Sequence, residues 1–185
     1  MAKRIFGLVG EFAAGKGTVA KYLIEKHGSV SPRFSDSLRE VLTLHDLETS
    51  RANMQKISTV LRENFGEDVL AKAITKRVRE LPNELIVVDG VRRLTDIVNL
   101  RQVPGFYLIA IQTDRSIRHE RYVTRNENPG DERMSYAEFE KKHAAEADRQ
   151  VPEVMATADI TISNNGSLDE LHAQIEELLK KTDAA

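Results

Sequence analysis

The seven residues GEFAAGK, Gly10 to Lys16, constrain this chain more than any others. They follow an apolar run, RIFGLVG at 4 to 10, and lead into a helical pattern at 16 to 27. Small residues leave backbone N–H groups uncovered, so successive amides can converge on one phosphate, and the lysine adds a point charge at the outer phosphates. The spacing G-x-x-x-x-G-K between a strand and a helix is the phosphate-loop pattern. Gly10, Ala13, Ala14, Gly15, Lys16, Gly17 and Thr18 are accordingly read as nucleotide-binding, with Lys16 also in a catalytic role. The strict pattern places Ser or Thr directly after the lysine. Here that residue is Gly17 and the hydroxyl comes one place later, at Thr18. Gly17 offers magnesium no side-chain oxygen, so a metal is expected to be held mostly through water, with Thr18 donating to a phosphate.

Such a loop requires a strand before it and a helix after it, and the rest of the chain repeats that alternation. Strand patterns fall at 4 to 10, 29 to 35 (weakly), 84 to 90, 106 to 113 and 158 to 164. Three of them are near-continuous apolar runs, as expected when both faces of a sheet are covered. Helical patterns lie at 16 to 27, 37 to 46, 51 to 80, 94 to 102, 115 to 125, 136 to 149 and 168 to 181. The expected fold class is α/β with a parallel sheet and right-handed crossovers. Ser37 with Glu40, Ser135 with Glu138 and Ser167 with Glu170 fit the S-x-x-E capping box. Met54, Ile57, Leu61 and Phe65 form one apolar stripe that reads as core, and Gly66 is expected to break or cap the helix there.

With 185 residues, a single domain spanning 1–185 is expected. A net charge of −2 with mixed-sign charge throughout gives no case for a nucleic-acid partner. Cysteine is absent, which excludes disulfides, thiolate metal sites and a cysteine nucleophile. The amino-terminal apolar run, about six residues long, is too short for a secretion signal or a membrane span. A cytoplasmic protein without membrane contact is expected.

Further candidates lie where strands end. Asp89, in LIVVDGVRR, would emerge at the carboxyl edge of the sheet and could hold magnesium through water, and Arg92 could contact an anionic substrate. In FSDSLREVL, Asp36 and Arg39 are about one helical turn apart, and Arg51 begins a later helix. Arginine suits phosphate, whereas a carboxylate beside an attacking hydroxyl could take its proton. The two group types leave the acceptor undecided. Arg118, Arg121 and Arg125 share one stripe, usually a solvated face. Beside the polar stretch 125–150, whose composition suits a lid, Arg121 and Arg125 are read as catalytic charges, with Arg133 and Arg149 as additions on closure. In SNNGS, Asn165 could read a base edge and Gly166 could let the backbone approach a ligand. The five histidines show no metal-ligand spacing.

Taken together, GEFAAGKGT, FSDSLREVL, VVDGVR and the tail RQVPEVMATADITISNNGSLDELHAQIEELL resemble the dephospho-CoA kinase and nucleoside monophosphate kinase group. The GKGT ending is similar to that of adenylate kinase and its relatives. The segment SRANMQKISTVLRENFGEDVLAKAI looks closer to deoxynucleotide kinase-like domains. The resemblance implies a three-layer α/β/α P-loop fold with a five-stranded parallel sheet, an acceptor-binding helical region at about 36–80 and a lid at about 125–150. It further implies ATP as donor, magnesium, a small nucleotide or CoA-precursor acceptor, and adenine held between Arg121 or Arg125 and the turn around Asn165. The alternative is a regulatory module that binds nucleotide and hydrolyses it slowly or not at all.

Overall fold

In the computed structural model, which describes residues 3–125, 135–143 and 149–183, the apolar runs form four parallel strands. They are β1 (Arg4–Val9), β2 (Leu85–Val88), β3 (Phe106–Gln112) and β4 (Ile160–Ser163), in the spatial order β2-β1-β3-β4. Gly7 of β1 sits opposite Val88 on one side and Leu108 on the other, so the strands end together at one edge.

Period-two alternation divides each strand between two cores. Phe6, Leu8, Leu85, Val87, Ile109 and Ile111 pack against α1 (Lys16–His27) and α9 (Leu168–Asp183). Ile5, Val9, Ile86, Val88, Leu108 and Ala110 face the other layer. That layer is built from α2 (Asp36–Leu44), α4 (Val69–Glu80), α5 (Leu94–Val98) and α8 (Val151–Ala156), with α3 (Arg51–Phe65) half-buried against it. The result is the expected three-layer α/β/α arrangement. The remaining described helices are α6 (Arg115–Arg125) and α7 (Tyr136–His143).

The fifth strand is not formed. The segment at 29 to 35 lies beside β2 but makes only isolated parallel bridges, Val30 with Ile86 and Arg33 with Asp89. Val30 donates to Leu85 O and accepts from Val87, and Asp89 donates to Pro32 O. The next ladder bond would need an N–H at Pro32, and proline has none. As expected, Gly66, at φ 98°, breaks the helical stretch at 51 to 80 and separates α3 from α4. Phe65 is 67% exposed, so the core stripe of α3 stops at Leu61. Capping boxes form at Ser135–Glu138 and Ser167–Glu170 but not at Ser37–Glu40. There α2 starts one residue earlier, at Asp36, and Glu40 pairs instead with Arg77. The short helix α8 was not expected from the sequence. Among the described residues no helix is long and apolar enough to cross a membrane.

Candidate active site

From β1 the chain crosses to the β2 side of the sheet and later adds β3 on the opposite side. The carboxyl end of β1 is therefore a topological switch point, where open α/β sheets bind ligands. The loop from Gly10 to Gly15 occupies that point. Ala13 has φ 62° and Gly15 φ 96°, left-handed conformations of the kind that turn successive N–H groups toward a common centre. A Cβ at Gly15 would run into the Asn164 amide nitrogen, so glycine is required there by space as well as by φ.

Two buried side chains at the strand ends hold the loop. Thr113 Oγ1, just after β3, and Asn164 Nδ2, just after β4, each donate to Ala14 O at 2.9 Å. They turn that carbonyl into the protein. The 14–15 peptide is trans, so the Gly15 N–H points the opposite way, toward the open side of the loop. Gly15 also begins α1 and has no side-chain oxygen to cap it, while Gly17 and Thr18 are exposed at the same helix end. The positive end of α1 thus faces solvent beside the loop.

Lys16 Nζ reaches back across the loop to Gly10 O (2.6 Å) and Glu11 O (3.1 Å). A phosphate oxygen would offer it a stronger, charge-assisted bond than either neutral carbonyl.

Arg118 departs from the expectation of a solvated face. It is 1% exposed. Its guanidinium donates to Thr113 O and Phe12 O, both at 3.1 Å, and meets Glu11 Oε2 at 2.9 Å. A buried arginine thus ties α6 to the outer arm of the loop, where the Phe12 ring lies 5.1 Å from Tyr122 of α6 and 5.8 Å from Phe139 of α7. Arg121, one turn on, donates to Asn164 O at 2.7 Å and Gly166 O at 3.4 Å, so the structure does bring it to the turn after β4. In that turn Asn165 Oδ1 accepts from the Asp114 N–H at 2.8 Å. A Cβ on Gly166 would collide with the Glu170 carboxylate, so glycine serves the capping box at this position. The side chain of Arg125, Arg133 and most of the lid segment 125–150 lie outside the described residues; Arg149 is exposed before α8.

On the other side of β1, Asp89 follows β2, half-buried, with the Arg33 guanidinium 3.8 Å away. Asp36 accepts from the Arg33 N–H at 2.7 Å and lies 3.7 Å from Arg77. Arg39 and Arg51 are exposed on α2 and at the start of α3. Arg92 is exposed in the loop after Asp89, and its N–H and that of Arg93 both donate to Asp96 Oδ2 at 3.0 Å. Asp96 is 2% exposed, and its other oxygen faces Arg62 of α3 at 3.5 Å. This buried carboxylate links α3 to the loop that carries Arg92. Among the described residues no group of three His, Cys, Asp or Glu is placed to hold a metal ion.

A parallel three-layer sheet with this loop at its switch point defines a P-loop protein of kinase-like fold. Residues 9–127 match the family described as the AAA domain. A UPF0200 protein of Thermococcus onnurineus is 31% identical over 179 residues, covering 94% of this chain and 95% of the relative. Another, from Thermococcus kodakarensis, is 29% identical over 177 residues, covering 93% and 94%. The chain belongs to the UPF0200 family and carries its AAA domain. The fold is also similar to that of shikimate kinase from Bacteroides thetaiotaomicron, with a TM-score of 0.63 at 12% identity over 97% of this chain and 98% of that one. Shikimate kinase from Acinetobacter baumannii, solved in complex with shikimate, gives 0.54 at 17% over 98% and 94%.

Proposed function

We propose that this protein is an ATP-dependent phosphotransferase acting on a small nucleotide-like acceptor, a (deoxy)nucleoside monophosphate or a dephospho-CoA-like molecule. The observation that carries the reading is the phosphate loop itself: the Gly15 N–H is turned outward by two buried donors beside the uncapped start of α1, with Lys16 within reach. The acceptor-side charges on the far flank of β1 support transfer over simple nucleotide sensing, since a sensor needs no second polar pocket.

In this reading the loop amides and Lys16 hold the β- and γ-phosphates. The bond from the γ-phosphorus to the β–γ bridging oxygen breaks as an acceptor oxygen bonds to that phosphorus, and ADP leaves. Positioning and charge neutralisation supply most of the rate. Arg121 and Arg125 would face the charge on the moving phosphoryl group. Arg39, Arg51 and Arg92 would bind the acceptor's anionic groups. Asp36 would anchor a polar group or, for an alcohol acceptor, receive its proton. Gly166 and Asn165, beside Arg121, would border the adenine.

Thr18 and Asp89 are hard oxygen donors on adjacent elements, the donor type magnesium takes when phosphates and water complete its shell. The ion would offset the charge of the outer phosphates. The protein is expected to work in the cytoplasm.

The test is transfer of radiolabelled γ-phosphate from ATP, with magnesium, to deoxynucleoside monophosphates, ribonucleoside monophosphates and dephospho-CoA. One of these should be labelled, and Lys16→Ala should lower turnover at least ~100-fold while leaving the melting temperature near that of the parent. ATP binding with no product from any acceptor would overturn the transferase reading in favour of a regulatory module.

A further inference from the structure

The segment from Asp89 to Arg93 is held at both ends. At its start the Asp89 N–H donates to Pro32 O at 3.2 Å, and the Phe34 N–H donates to Asp89 O at 3.4 Å. Gly90, at φ 93°, then turns the chain, Val91 is buried and Arg92 emerges into solvent. At its end the N–H groups of Arg92 and Arg93 converge on one oxygen of Asp96. The backbone that carries Arg92 is therefore fixed on both sides, and a fixed backbone limits where the guanidinium can reach.

Asp96 does more than a helix cap requires. It occupies the capping-box position of α5, where one carboxylate oxygen makes the cap and water can satisfy the other. Here the side chain is buried, and the second oxygen faces the Arg62 guanidinium at 3.5 Å. Arg62 is itself nine-tenths buried and also donates to Glu67 O in the turn between α3 and α4. The Glu67 carboxylate in turn meets Arg93 at 3.0 Å. One charged network thus joins the end of α3 to the segment that carries Arg92. A buried ion pair adds little stability over apolar residues of the same volume, so stability alone does not account for this one. What it fixes is position: the two oxygens of Asp96 divide between the backbone at Arg92 and α3.

We propose that Asp96 is a positioning residue for acceptor binding. It holds the backbone of Arg92 so that the guanidinium meets an anionic group of the acceptor, and the Arg62 contact makes that hold depend on how α3 is seated. This role rests on the transferase reading, in which Arg92 binds the acceptor. Being buried, Asp96 does not itself meet the acceptor.

The experiment is steady-state kinetics of the full-length protein with ATP and magnesium. The acceptor is whichever of the deoxynucleoside monophosphates, ribonucleoside monophosphates or dephospho-CoA the parent phosphorylates. Arg92→Ala should raise the acceptor KM about tenfold, through loss of a charged bond, with the KM for ATP within about twofold of the parent. Asp96→Asn keeps the side chain's size and leaves a neutral oxygen for the cap; it should raise the acceptor KM about fivefold. Arg62→Met leaves both N–H bonds to Asp96 in place and should raise it about threefold. The decisive readout is the double variant. If Asp96 acts through Arg92, Asp96→Asn should change the acceptor KM by less than about twofold in the Arg92→Ala background, whereas a merely structural role would let the two effects multiply. The full fivefold effect in that background would overturn the proposal and leave the transferase reading standing. So would an acceptor KM unchanged in both Asp96→Asn and Arg62→Met. Labelling of no acceptor by the parent would overturn the transferase reading, and the role of Asp96 with it.

Discussion

Replacing Arg118 with Met should destabilise the protein far more than a helix-surface arginine can. The substitution keeps the apolar stem and removes the guanidinium. Two bonds from a charged donor to Thr113 O and Phe12 O are lost, each contributing about 1.5 kcal/mol. Glu11, 23% exposed, also loses its ion pair with Arg118; water screens that carboxylate in part, so about 1 kcal/mol is added rather than the full cost of breaking a buried pair. The sum is about 4 kcal/mol, which in a chain of this length lowers the melting temperature by about 8–16 °C. Glu11→Gln should cost only the last part, about 2–4 °C. Differential scanning calorimetry and urea unfolding measure both variants. ATP affinity by titration calorimetry should also fall in Arg118→Met, because residues 11 and 12 of the loop lose their tether to α6. A melting temperature within about 3 °C of the parent would refute the view that this arginine is a structural part of the phosphate loop.

Gly15→Ala must adopt a left-handed backbone and displace the Asn164 amide from Ala14 O; the two together cost about 2–3 kcal/mol, visible as a lower urea midpoint, and a midpoint unchanged from the parent would show that the loop has room. Acid stability should depend on Glu176. Its carboxyl accepts from the Tyr22 hydroxyl at 2.8 Å and contacts His27 Nε2 at 2.8 Å, which hold it below the usual glutamate range, the Tyr22 bond being the larger cause. A carboxyl lowered in this way binds fewer protons folded than unfolded. Its contribution is therefore present at neutral pH and is lost as pH falls from about 4.3 through the lower folded value. Glu176→Gln should flatten the acid limb of a melting-temperature profile between about pH 5 and 3 relative to the parent, and superimposed profiles would count against this assignment.

The local patterns were legible in the sequence because they are set within a few residues. Steric freedom at Gly15, apolar runs that bury both strand faces, and the Ser135 and Ser167 capping boxes all act over one turn or one strand. Even the missing fifth strand has a local cause, the absent N–H of Pro32, which outweighs the strand-like pattern around it. What supports the phosphate loop was harder to see, because its partners are about 100 and 150 positions away. Strand alternation contained a clue. Thr113 follows Ile109 and Ile111 on the face turned toward α1, and Asn164 follows Ile162 on that same face, whereas Asn165 points off it. Only the order β2-β1-β3-β4 brings those two strand ends to Ala14. Burial of Arg118 had no sequence mark at all, since its spacing with Arg121 and Arg125 is that of an ordinary exposed stripe. The sequence by itself determined that a phosphate loop exists and which strand and helix flank it, because those are short-range consequences of residue size and periodicity. The tertiary structure decided which distant side chains aim the loop's amides and which charges end up inside, because parallel strands meet only after long crossovers whose packing no local pattern specifies.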